Sequence, residues 1–192
     1  MRAGGGKGKG SGFERLVCKH LSLWITQGQR EDVFWRSAMS GGRGTVLAKK
    51  AKQGGNVAGD ITATAKEGHL LTDPFFVECK FYAKLDLLPF FLGQSKGALN
   101  KFWTTAHSQA AQHGKHPLII CKQNLLPPFV LAREDALLKQ DYEHWPPEPV
   151  LRVYHPTTHC LLGLWWLEDL FPQPPAPQRG KPSLKGNRRP KA

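Results

Sequence analysis

Apolar residues recur along the chain with two different spacings, which predict the order of helices and strands. Helical spacing predicts a first helix over residues 12–27, ended by Gly28, with an inner face of Phe13, Leu16, Val17, His20, Leu21 and Trp24. The same spacing predicts a helix over 99–113, with Leu99, Phe102, Trp103, Ala106 and Ala110 on one side. Short apolar runs bounded by turn residues predict strands at 32–37, 59–65, 75–81, 117–122 and 129–132.

The rest of the chain extends this pattern. A short helix is predicted over 133–140, two strands at 150–155 and 161–167, and a last turn at 168–171. A chain of 192 residues suffices for one substantial domain, and this order of elements predicts an α/β fold with a mixed central sheet flanked by helices. We expect a disordered Gly/Lys-rich tail at 1–11, a single domain at 12–171, and a disordered Pro-rich basic tail at 172–192.

Charge and cysteine usage narrow the class of protein. The net charge is +12, and the two tails carry nine of the 27 basic residues and no acid, which suits a polyanionic partner. The four cysteines are scattered without metal-ligand spacing, which is typical of buried thiols in a reduced compartment. No apolar run is long enough to cross a bilayer, so we expect a cytoplasmic protein without a membrane partner.

The run "FFVECKF" carries the candidate chemistry. Alternation in a strand places Glu78 and Lys80 on one face, opposite Phe75, Val77, Cys79 and Phe81. Charges on the solvated face of an edge strand are the alternative explanation. If the preceding strand pairs antiparallel with this one, Asp60 lies close to Glu78, and two such carboxylates suit Mg²⁺. Glu14, in the first turn of the first helix, could reach the same site.

These residues resemble a known signature. The pattern "GDI…FFVECK" resembles that of the PD-(D/E)xK nuclease superfamily, with Gly59 where many members carry proline. The wider run "GKGSGFERLVCKHL…VFWRSAMSGG…GDITA…FFVECKF" is similar to archaeal-type Holliday junction resolvases and related phage and prophage endonucleases, over residues 8–122. The resemblance implies a single restriction-endonuclease-like domain.

The resemblance also assigns roles to individual residues. It implies metal ligation by Asp60, Glu78 and Glu14, and a catalytic role for Lys80. A site serine falls on Ser40, which precedes a flexible Gly-Gly pair, with Ser37 as the alternative. DNA contacts fall on Arg15 and Arg36. The long segment between the first two strands is basic, which indicates either a solvated loop or a phosphate-binding loop formed by Arg43, Lys49, Lys50 and Lys52.

The implied activity is that of a Mg²⁺-dependent DNA endonuclease, with Mn²⁺ as a substitute, that hydrolyses phosphodiester bonds in branched DNA. By the same resemblance we expect a phage- or prophage-encoded homodimer acting in bacterial cytoplasm during recombination. A restriction- or repair-type nuclease on linear duplex, an RNA-directed nuclease and a non-catalytic DNA-binding protein are the alternatives. The aromatic residues are expected mainly in the core rather than as stacking platforms for bases: Phe34, Trp35, Phe102, Trp103, Trp165 and Trp166.

Overall fold

The computed structural model describes residues 5–37, 58–94, 96–140 and 145–174, which form helices on both sides of a sheet. The helices are α1 (Gly5–Ile25), α2 (His69–Thr72), α3 (Leu88–Phe91), α4 (Ala98–Gln112), α5 (Glu134–Leu137) and α6 (Leu167–Leu170), and a 3₁₀ turn spans Lys66–Gly68. The strands are β1 (Phe34–Arg36), β2 (Ile61–Ala63), β3 (Phe75–Tyr82), β4 (His116–Gln123), β5 (Phe129–Arg133), β6 (Leu151–His155) and β7 (Cys160–Trp166). Each predicted helix and strand is therefore present.

A five-stranded mixed sheet forms the centre of the molecule. Its strand order is β3-β4-β5-β7-β6, with β3 and β4 parallel and every other neighbouring pair antiparallel. The parallel pair is joined by a crossover that contains α3 and α4, as parallel neighbours require. β1 and β2 form a separate antiparallel pair. This arrangement confirms the predicted α/β fold with a mixed sheet flanked by helices.

The sheet has an apolar cluster on each face, which explains the continuous apolar run in β4. Leu118 and Ile120 pack in the cluster that contains the inner face of α1, whereas Ile119 and Cys121 pack in the cluster that contains Leu99, Trp103 and Ala106 of α4. A strand covered on both faces is expected to be apolar at successive positions. All four cysteines are buried and free, as the sequence predicts.

Residues from the two ends of the described chain pack together. The His20 Nε2 of α1 donates a hydrogen bond of 2.8 Å to the carbonyl oxygen of Phe171. The ring of Trp24 meets the ring of Phe171 edge-on, with centroids 4.7 Å apart. The Gln173 side chain donates to the carbonyl oxygen of His20 at 2.9 Å. α1 is thus fixed in place by the residues that follow the last strand.

Three expectations about elements are corrected. α1 begins at Gly5 rather than near residue 12, since a formed helix gains one hydrogen bond for each residue added, even through glycines. Leu16 is 52% exposed and lies off the inner face of α1. Trp35 is 58% exposed, because alternation along β1 turns it away from the buried Phe34. The division into one domain and two tails stays a prediction.

The antiparallel pairing of the second and third strands, considered as one way to bring Asp60 near Glu78, does not form. β2 pairs with β1, and only Gly59, just before β2, forms a bridge with β3, a parallel one to Val77. The reason is the helical segment between β2 and β3, because a crossover of this kind returns the chain in the same direction. None of the described helices combines the length and hydrophobicity needed to span a membrane.

Candidate active site

Asp60 is held against the edge of β3 by backbone hydrogen bonds. The Asp60 amide donates to the carbonyl oxygen of Val77 at 2.8 Å, and the Cys79 amide donates to Asp60 Oδ2 at 2.9 Å. Gly59 makes this close approach possible, since its φ is +93° and a Cβ on it would lie 2.5 Å from the Val77 carbonyl oxygen. Proline, with φ fixed near −65°, cannot adopt this conformation. The glycine in place of the usual proline therefore has a structural reason.

Glu78 and Lys80 project from the face of β3 opposite the buried Val77 and Cys79, as alternation predicts. Lys80 Nζ donates to Glu78 Oε1, and their side chains are 28% and 15% exposed, respectively. Burial acts to lower the pKa of Lys80, but the charge and hydrogen bond of Glu78 and the charge of Asp60 outweigh it, so the pKa is raised. Lys80 is therefore a charged hydrogen-bond donor at this site.

The electrostatic environment of Asp60 favours its neutral form in the metal-free protein. Burial, followed by the negative charge of Glu78, raises the pKa of Asp60 from 3.8 to about 7, against the opposing effects of the Cys79 amide and Lys80. Glu14 adds a smaller upward shift to the same pKa. A cation bound beside two such carboxylates favours their ionised forms, because opposite charge stabilises the charged state.

The donor set fits Mg²⁺, which prefers one or two carboxylates together with water and phosphate oxygens. Asp60 and Glu78 provide two carboxylates, and the hydrogen bonds described above use one oxygen of each. Among residues 5–37, 58–94, 96–140 and 145–174, no three His, Cys, Asp or Glu side chains are grouped closely enough to ligate one metal ion. Within these ranges Asp60 and Glu78 are thus a candidate ligand pair, with water and phosphate oxygens to complete the coordination.

Glu14 is held in an ion pair that joins α1 to β1. Arg36 Nε donates to Glu14 Oε2, and the side chains are 27% and 14% exposed, respectively. Glu14 acts on the pKa of Asp60 through its charge, so the two acids lie within electrostatic reach of each other. Metal ligation by Glu14 and DNA contact by Arg36 stay predictions. Arg15, the next residue of α1, is exposed, and DNA contact by Arg15 also stays a prediction.

Of the two serines considered, Ser37 lies beside Asp60. Its amide donates to the Asp60 carbonyl oxygen at 2.9 Å, and its Oγ is buried without a hydrogen-bond partner among the described residues. A buried polar atom of this kind calls for an explanation, and a functional role is one of them. Ser40 lies outside the described residues, as do the predicted DNA-binding residues Arg43, Lys49, Lys50 and Lys52.

The sequence predicted the acidic residues of the site but not the contacts that hold them in place. The Glu14–Arg36 pair joins two segments of the recognised pattern, "FER" and "FWRS", so their joint presence was the available signal. No sequence signal marks the Cys79 amide that holds Asp60, because every non-proline residue carries a backbone N–H donor. Phe102 was predicted to lie in the core. It also belongs to the site, because its ring lies beneath Lys80 Nζ.

A mixed sheet flanked by helices, with Asp60, Glu78 and Lys80 at the edge strand, defines a PD-(D/E)xK nuclease domain of the restriction-endonuclease-like class. The family model described as "Phage putative PDDEXK endonuclease" matches residues 5–155, and the chain belongs to this family. Neither a curated protein nor a solved structure matches the chain. The family match confirms the predicted superfamily and supports a nuclease that acts on DNA; the narrower likeness to Holliday junction resolvases stays a prediction.

Proposed function

We propose that the protein is a Mg²⁺-dependent endodeoxyribonuclease that hydrolyses phosphodiester bonds. The observation that carries the proposal is the position of Asp60, whose carboxylate accepts the Cys79 amide on the strand that presents Glu78 and Lys80. The raised pKa of Asp60 adds support, because strongly perturbed carboxylates cluster at functional sites.

The side chains divide the work of phosphodiester hydrolysis. Asp60 and Glu78 would hold Mg²⁺, with Mn²⁺ as a substitute, and the bound ion supplies Lewis-acid stabilisation of charge on the phosphate and lowers the pKa of water. Lys80 orients the attacking water or donates a hydrogen bond to a phosphate oxygen, where negative charge develops. Arg36 fixes the direction of Glu14, and Glu14 serves as an additional acid at the rim of the site.

Branched DNA is the proposed substrate, because the recognised pattern is similar to that of junction-resolving enzymes. A four-way junction presents two symmetric cuts, so a two-fold homodimer matches its symmetry. The net charge of +12 suits a polyanion of either linear or branched form. The proposed setting is the cytoplasm of a bacterium that carries the phage or prophage, during DNA recombination.

A substrate panel tests this function. Purified protein is incubated with a labelled four-way junction, a flap, linear duplex DNA, single-stranded DNA and RNA, each with Mg²⁺, with Mn²⁺ and with EDTA. We expect cleavage of the junction above all others and no cleavage in EDTA. Preference for linear duplex would instead indicate a restriction- or repair-type nuclease, and binding without cleavage of any substrate would indicate a non-catalytic DNA-binding protein.

Substitution of Asp60 or Glu78 tests whether the cleavage activity belongs to this site. Asp60→Asn or Glu78→Gln is expected to lower the cleavage rate by roughly 100-fold or more, as removal of a charge-stabilising group does. DNA binding is expected to stay intact or become slightly tighter, because a negative charge near the phosphate is lost. Asp169→Asn, at an exposed acid of α6, is the matched control and should cleave normally. Near-normal cleavage by either site variant at saturating Mg²⁺ would contradict the assignment.

A further inference from the structure

The ammonium group of Lys80 lies over an aromatic ring on the neighbouring helix. Lys80 Nζ is 5.9 Å from the ring centroid of Phe102 in α4. The Phe102 ring in turn packs on the ring of Tyr82, with centroids 4.9 Å apart and planes inclined by 38°. Phe102 is half-buried against the cluster beneath α4, whereas the adjacent Trp103 is fully buried. The Phe102 ring therefore contacts both the apolar cluster and the Lys80 side chain.

An aromatic face attracts a cation without competing for its hydrogen bonds. The negative potential above the ring stabilises an ammonium group within about 6 Å of the centroid. A lysine ammonium has three N–H donors, and one of them is directed at Glu78. The Phe102 face therefore holds the charge in place and leaves the remaining donors for other acceptors.

We propose that Phe102 is a positioning residue that keeps Lys80 directed at the scissile phosphate. The inference rests on the proposed nuclease function. In the metal-free protein Lys80 is oriented by Glu78, which is also a candidate metal ligand, so a second contact is needed when the Glu78 oxygens ligate a cation. Phe102 supplies that contact from a different element, and Tyr82 limits the movement of the Phe102 ring.

A spectroscopic measurement tests the contact without any cleavage assay. In the metal-free protein, the ε-methylene protons of Lys80 are expected to resonate upfield of other lysines because they experience the ring current of Phe102. The signal is assigned by its loss in Lys80→Arg. Phe102→Leu should return it to the ordinary lysine position. Phe91→Leu, a matched truncation of another half-buried ring packed on the same apolar cluster, should leave it shifted.

A kinetic measurement tests the positioning role. Phe102→Leu is expected to lower kcat for DNA cleavage by about threefold to thirtyfold, the range that corresponds to one cation–π contact. KM and DNA affinity should stay unchanged, because the Phe102 ring positions Lys80 for the cleavage step and is not proposed to contact the DNA. Phe102→Tyr and Phe102→Trp should restore kcat, and Phe91→Leu should have normal kcat.

The outcomes separate this inference from the proposed function. If the wild-type protein cleaves DNA but its Lys80 signal lies at the ordinary position, or if Phe102→Leu and Phe91→Leu lower kcat equally, the inference is wrong and the nuclease function stands. If the wild-type protein cleaves no DNA with Mg²⁺ or Mn²⁺, the proposed function and the positioning role both fail. Loss of kcat that Tyr and Trp do not restore would indicate a packing role only.

Discussion

Asp60 carries a free-energy cost in the metal-free protein because burial and Glu78 oppose its ionisation. In the unfolded chain its carboxyl ionises near pH 3.8, whereas in the folded protein its pKa is about 7. Between these values the unfolded state releases a proton that the folded state retains. The contribution of Asp60 to the free energy of unfolding is therefore most favourable below about pH 4, falls as the pH rises through this window, and levels off above pH 7. Functional sites commonly reduce stability in this way.

Asp60→Asn should remove this pH-dependent loss, because the amide has no proton to release and its oxygen can still accept the Cys79 amide. In EDTA, the Tm of the variant should exceed that of the wild type by an amount that grows from pH 4.5 to pH 7 and is constant above. Thermal denaturation at pH 4.5, 6, 7 and 8 measures the difference. Asp169→Asn should change Tm little at each pH, and a constant difference for Asp60→Asn would contradict the explanation.

At the scale of the elements, the bridge between Gly59 and β3 determines where Asp60 lies. Gly59→Ala must place a Cβ 2.5 Å from the Val77 carbonyl oxygen, so one of the two backbone segments has to move. We expect a lower Tm and a cleavage rate reduced by roughly tenfold or more, because small misplacements of a catalytic group are costly.

Gly93→Ala is the matched control for this change. Gly93 also has a positive φ, +68°, but a Cβ there would meet no atom within 4 Å. Its substitution carries the left-handed backbone penalty of about 1–2 kcal/mol without a clash. Its cleavage rate should stay within about twofold of the wild type when both are folded. Equal loss of cleavage in the two variants would show that backbone conformation, rather than contact with β3, is responsible.

The elements were predictable because each one repeats a simple apolar period. Alternation along β3 correctly separated Glu78 and Lys80 from Val77 and Cys79, since strand geometry alone fixes which side chains share a face. The apolar run at 117–122 correctly indicated a strand, and the structure buries its successive residues. These features depend on residues that are close together in the sequence.

The contacts between elements were less predictable because they depend on residues distant in the sequence. The parallel bridge of Gly59 to Val77 follows from the helical segment between β2 and β3, which reads as a turn in the sequence. The exposure of Trp35 depends on what covers β1, and hydrophobicity alone favoured the core. The position of Ser37 beside Asp60 likewise follows from a backbone contact between two segments.

For the whole molecule, much of the net positive charge lies near the two ends of the sequence. Six of the 27 basic residues lie between 175 and 192, and that segment has no acid. Contacts with phosphates do not depend on base sequence. The logarithm of the binding constant that they support falls linearly with the logarithm of the salt concentration. If this segment contacts phosphates, it contributes to affinity for every DNA alike and leaves the cleavage step to the domain.

Removal of residues 175–192 tests this contribution. The truncation ends after Pro174 because Gln173 donates to His20 of α1 and Pro174 lies beside Gly28, just after that helix. We expect weaker binding to all DNA substrates, a slope of log K against log salt that is flatter by about 2 to 3, and normal cleavage of bound substrate. A full-length variant with the six basic residues changed to Gln separates charge from length. An unchanged slope in both proteins would exclude phosphate contacts by this segment.

The packing of Phe171 on α1 has a consequence for the order in which the protein matures. α1 is synthesised before Phe171, so the contacts of its residues His20 and Trp24 with Phe171 form only after residue 171 has been made. The acid Glu14 is carried by the same helix, which also packs on β3. A chain whose synthesis has not passed residue 171 therefore lacks a fully seated α1. The placement of Glu14, and with it the proposed site, is therefore completed only after residue 171 has packed on the helix.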